Sequence, residues 1–138
     1  VYWKIGPDGG NNNITVYNQN NLGVWMANDG TGWNAQSDIR VKKDVETLTS
    51  GLDVVDQLRP VKYRYNQDDA EKSLRIGFIA QEVRDLIPEI VGSNPTEDFP
   101  DGLLGLSLES FVPFLVNAIK DLSRELKNVK QRLDQMQS

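Results

Sequence analysis

Apolar positions along this chain change rhythm twice, and each change marks a different kind of structure. Over residues 1–36, short runs such as Ile14-Thr15-Val16-Tyr17 and Leu22-Gly23-Val24-Trp25-Met26-Ala27 are broken by Asn, Asp and Gly. Short runs between turn formers predict short β-strands. All three Trp residues, Trp3, Trp25 and Trp33, fall in this stretch, and Lys4 is its only basic residue. So short a segment cannot bury three indoles alone. It is expected to pack against copies of itself or against sequence upstream.

From residue 37 to about 108 the pattern is mixed. Val41, Val45, Leu48, Leu52, Val55 and Leu58 recur at spacings of three and four, which predicts a helical face, with Gly51 splitting it into two short helices. Pro60 stops the helix. Val61 to Tyr65 then alternates as a half-buried strand does, and Arg75 to Ile79 is its expected partner across an acidic turn at Asp68, Asp69 and Glu71. Ala80 to Leu86 predicts two helical turns ending before Pro88, and Gly92 to Gly102 predicts a loop.

The third rhythm, from about Glu109, is the most regular. Leu115, Ile119, Leu122, Leu126, Val129, Leu133 and Met136 step alternately by four and three. That is a heptad seam with Ile119, Leu126 and Leu133 at a, and Leu115, Leu122, Val129 and Met136 at d. Residues 120–135 are otherwise polar, so the apolar stripe is narrow. A helix of that kind is expected to pair with similar helices. The a and d residues leave dimer or trimer open. The three rhythms together predict an α+β chain of N-terminal strands, a small mixed α/β domain and a C-terminal coiled-coil helix.

Composition narrows the chemistry. The 138 residues carry a formal charge of −5 and no basic cluster, which speaks against a surface that tracks nucleic-acid phosphates. No apolar run approaches the ~20 residues that cross a bilayer, nothing at the start resembles a signal peptide, and the first residue, Val1, suggests a piece of something longer. Cysteine and histidine are both absent. Thiol and imidazole chemistry are thereby excluded, along with the metal sites those groups build. Asp68-Asp69, Asp98 and Asp101 lack calcium-loop spacing and read as solvated. No cofactor and no metal are expected.

One motif stands at the border of the first two zones: Ser37-Asp38-Ile39-Arg40-Val41-Lys42-Lys43. Read locally, Ser37 or Asp38 is a helix N-cap, and Arg40, Lys42 and Lys43 lie on a solvated face. The wider sequence adds to that reading. The S-D-x-R-x-K string is followed by L-R-P-V-K-Y-R-Y (58–65), I-G-F-I-A-Q-E-V (76–83) and P-E-I-V (88–91), and then by F-V-P-F-L-V-N-A-I-K-D-L (111–122). In this order and spacing, the blocks resemble the peptidase S74 family. Its members are intramolecular chaperone domains at the C-terminus of phage tail spikes, fibres and neck appendages, and of the myelin regulatory factors. Gly32-Trp33-Asn34-Ala35-Gln36 also resembles the lead-in of such fibres.

The resemblance implies a division at 36/37, with residues 1–36 as the end of a trimeric β-fibre and 37–138 as the chaperone with its coiled coil. It implies a self-cleaving Ser-Lys dyad in which Ser37 is the nucleophile and Lys42 the base, cutting the Gln36–Ser37 bond. It further implies a homotrimer, an upstream fibre domain in the same chain and no membrane insertion. The setting would be a virion part assembled in the host cytoplasm, with the chaperone absent from the mature particle. Alternatives are a non-cleaving trimerisation module and the equivalent domain of a membrane-released transcription factor. Arg75, Gln81 and Glu82 are expected to serve structure. A Lys base must lose its proton near neutral pH, far below its ~10.4 reference, through desolvation or nearby cations. Arg40 and Lys43 are the candidate cations, and burial between subunits would act more strongly.

Overall fold

The computed structural model describes residues 3–7, 13–18, 20 and 22–137, with Trp3, Lys4 and Pro7 described by backbone alone. It has two compact units, Val1–Glu46 and Thr47–Ser138.

The first unit is an antiparallel sheet of four strands in sequence order: β1 (Trp3–Pro7), β2 (Ile14–Asn18), β3 (Gly23–Met26) and β4 (Asn34–Ala35). Asn18 makes the turn between β2 and β3, its Oδ1 accepting from Asn20 N at 2.9 Å and Leu22 N at 3.2 Å. Asparagine suits this place because its side chain imitates a backbone acceptor. At Gly23 a Cβ would lie 2.0 Å from Val16 O, so the close approach of β2 and β3 requires glycine there. None of the described residues of this sheet is fully buried; Trp25 is half-buried and Trp33 exposed. The expectation for the Trp3 indole lies outside the described residues.

In the second unit, α1 (Leu52–Val55) packs on the long helix α3 (Val112–Gln137). Of the two short helices expected on either side of Gly51, the second forms as α1 but the first does not: apart from one 3-10 turn at Ile39–Val41, the chain is irregular as far as Gly51. Asn117 on α3 donates its amide to Leu48 O at 2.8 Å and Ser50 O at 3.0 Å, carbonyls that a helix running on into α1 would use for Leu52 N and Val54 N. Gly51 lies so close to α3 that a Cβ would meet Ala118 N and Asn117 C at 2.8 Å.

The expected hairpin is present but shorter. Strands β5 (Val61–Tyr63) and β6 (Arg75–Gly77) pair antiparallel with Lys62 opposite Ile76. Asp68 in its connection is not the solvated loop residue expected. Its side chain is 3% exposed, accepts from Tyr65 N at 2.9 Å and Lys72 Nζ at 3.2 Å, and pairs with Arg75 at 3.4 Å. The helix over Ala80–Leu86, α2, is as expected. The loop expected over Gly92 to Gly102 is confined to 95–102, because its first three residues belong to a strand: β7 (Val91–Asn94) pairs with β8 (Leu103–Leu106). Gly, Ser and Asn are weak strand formers. Packing of Val91 and Leu106 on the core holds the hairpin instead.

That core is small. Val83, Ile87, Ile90 and Phe111 are buried together, with Leu58, Phe78 and Phe114 against them. Phe78 and Phe111 stack at 4.9 Å. Arg59 and Glu82 form an ion pair across this unit, which gives Glu82 the structural part expected. Helix α3 has 26 residues and is thus ~39 Å long. Its seven seam residues are all exposed, up to 84% at Met136. Among the described residues, no helix is long and apolar enough to cross a membrane.

Candidate active site

Ser37 follows β4 with only Gln36 between them. The pairing of Asn34 with Trp25 and Ala35 with Val24 ends there, and Gln36 N adds one bond of 3.4 Å to Gly23 O. The Gln36–Ser37 peptide therefore lies just past the last pairing of the edge strand β4. Asn34 Nδ2 reaches Trp25 O at 3.5 Å on the same edge. The sequence signal for this strand is the Asn28-Asp29-Gly30 turn, closed by Gly30 N on Ala27 O at 2.9 Å, ahead of a short run that returns alongside β3.

The chain then turns sharply. Val41 N donates to Asp38 O and Lys42 N to Ile39 O, both at 3.1 Å, forming the 3-10 turn. Asp38 caps it, its Oδ1 accepting from Arg40 N at 2.8 Å, as the N-cap reading expects. The same carboxylate holds the Arg40 guanidinium in a two-pronged pair, Nε at 2.9 Å and an Nη at 2.7 Å. These bonds to Arg40, side chain first and backbone second, pull the Asp38 carboxyl below its ordinary pKa. In return, Asp38 raises Arg40.

The turn brings the two ends of the motif together. Lys42 Nζ donates to Ser37 Oγ at 2.8 Å. With the amine neutral, the same contact can run the other way, the hydroxyl donating its proton to nitrogen. That is the arrangement a general base needs. Of the two expected cations, Arg40 has its charge taken up by Asp38. Lys43 is exposed, as is every residue from Thr31 to Thr49. Nearby in sequence, the apolar Ile39 and Val45 are 67% and 63% exposed. Gln81 sits on α2 and Arg75 on the hairpin, both in the second unit. Among the described residues, no group of carboxylates is placed to hold a metal ion.

Comparison with known proteins agrees with the motif. Residues 37–92 match the family model of the chaperone of endosialidase, peptidase S74. Over 102 residues, 71% of this chain, the sequence is 32% identical to the long tail fiber protein Gp37 of Enterobacteria phage K3. It is equally similar to the Gp37 of Enterobacteria phage T2. The aligned stretch spans only 8% and 7% of those fibre proteins. Residues 37–92 of this chain thus belong to the peptidase S74 family, the chaperones of endosialidase.

Proposed function

We propose that this chain is the end of a phage fibre together with the chaperone that assembles it, and that the chaperone releases itself by cutting Gln36–Ser37. The observation that carries the reading is the 2.8 Å contact of Lys42 Nζ with Ser37 Oγ, made directly beside the peptide to be broken. Similarity to long tail fibre proteins supplies the setting.

The chemistry is peptide hydrolysis. Ser37 Oγ attacks the carbonyl carbon of Gln36 while Lys42 takes the hydroxyl proton. Collapse breaks the C–N bond, and Lys42 returns the proton to the leaving nitrogen. Water then splits the ester, leaving a Gln36 carboxylate and restoring the hydroxyl. Lys42 is exposed in the single chain. A neutral amine is favoured once water is removed from around it. Association of chains over Ile39, Val41 and Val45 removes that water, so cutting follows assembly. The α3 seam drives the association as a coiled coil of three chains. Joining three chains early sets the register of β-structure that is otherwise slow to form. Cutting afterwards makes the assembly one-way.

Denaturing electrophoresis of the assembled protein beside its Ser37→Ala and Lys42→Met variants tests the reading. Two bands are expected for wild type and one for each variant, with the oligomer retained in all three. Two bands from Ser37→Ala would show that Ser37 is not the nucleophile.

A further inference from the structure

Between Lys42 and Gly51 the chain forms no helix and no strand, and its residues are exposed as far as Thr49. What grips it is α3. The Asn117 amide has two N–H donors, and both are used: one on Leu48 O at 2.8 Å, one on Ser50 O at 3.0 Å. One turn further along, Asp121 accepts from Leu52 N at 3.0 Å. Between these two, Gly51 lies against the backbone at Ala118. Three residues of a single helix face therefore hold the segment 48–52.

That face is not the seam. With Ile119 at a and Leu115 and Leu122 at d, Asn117 takes position f and Asp121 position c, on the far side of the helix. The strap is thus held on the outside of any bundle that the seam forms, and association leaves the grip intact. Lys42 precedes Leu48 by six residues, a reach of at most ~20 Å of extended chain. Wherever α3 stands in the assembly, the Ser37–Lys42 pair is leashed to it at the Asn117 turn.

We infer that Asn117 is a positioning residue for self-cleavage: its grip on the strap carries the register of the assembled helices to the Ser37–Lys42 pair. This rests on the cleavage reading above. A short leash keeps the local concentration of the pair high at its place in the assembly, and a slack one dilutes it. Asn117 touches neither reacting atom, so its loss acts on rate through placement alone.

Two variants of the full chain test this, each checked by light scattering for the wild-type oligomer. Asn117→Asp keeps the side-chain shape and removes both donors. Insertion of Gly-Ser-Gly-Ser between Glu46 and Thr47 leaves Asn117, its grip and the pair intact, and only lengthens the leash. A purely stabilising role for the grip leaves the insertion variant at wild-type speed. The cut fraction is followed over time by intact mass. Roughly tenfold or slower cleavage is expected from both. Wild-type speed in either assembled variant overturns the inference. Should Asn117→Asp not assemble, the insertion decides alone. A wild-type chain that assembles and is never cut defeats the cleavage reading, and this inference falls with it.

Discussion

Ser37 and Lys42 owe their contact to the four residues between them. A single 3-10 turn capped by Asp38 closes a five-residue separation to 2.8 Å. Lys43, next along, is exposed and makes no contact with Ser37, so it is expected to matter little: Lys43→Met should cut at close to wild-type rate, where Lys42→Met is blocked. Equal loss from both, measured by the cut fraction, would point to general electrostatics. Asp68 offers a second residue-scale prediction. Its carboxyl is held below the ordinary pKa first by the Tyr65 backbone N–H, then by Lys72, Arg75 and Arg64. A depressed carboxylate contributes stability that is complete above its unfolded pKa and is lost as pH falls through the folded one. Thermal unfolding of wild type and Asp68→Asn should therefore differ at pH 7 and converge in strong acid, below the usual carboxylate range. An undiminished gap at low pH would assign the effect to packing.

Elements were legible where period and burial agree. Helix α2 fills the stretch between the Gly77 strand and Pro88, and the hairpin β5–β6 follows the alternation of Val61 and Tyr63. The stretch from Val41 to Leu48 shows where period misleads. Its apolar residues have helical spacing yet remain exposed, because the Ser37–Lys42 turn takes one end and Asn117 the other. Asn117 and Leu48 are 69 residues apart, and no local pattern announces such a pairing. Residue types and order made the Ser37 and Lys42 pair readable; the grip behind them was not. Gly51 is the element-scale test. A methyl group there meets α3 backbone at 2.8 Å, which cannot move as a side-chain tip can. Gly51→Ala should destabilise the second unit by ~1–3 kcal/mol in a denaturant titration. An unchanged midpoint would mean that α1 and α3 are not packed so closely.

At the scale of the whole molecule, apolar surface outruns the core. Five hydrophobic side chains are buried among the described residues, while the α3 seam, Ile39, Val45 and Ile5 stand in water. A chain so built is expected to associate, and the three-chain assembly proposed above would bury this surface about one axis. Light scattering should return three times the 15.5 kDa chain mass. A value near twice that mass would contradict the fibre arrangement. Removal of residues 120–138 takes away most of the seam and should lower the oligomer before it unfolds the rest. The central claim, that the assembled chain cuts itself before Ser37, is tested most directly by the intact mass of purified wild-type protein. Two polypeptides ending at Gln36 and beginning at Ser37 are predicted, and a single uncut 15.5 kDa species in the assembled protein would contradict the account.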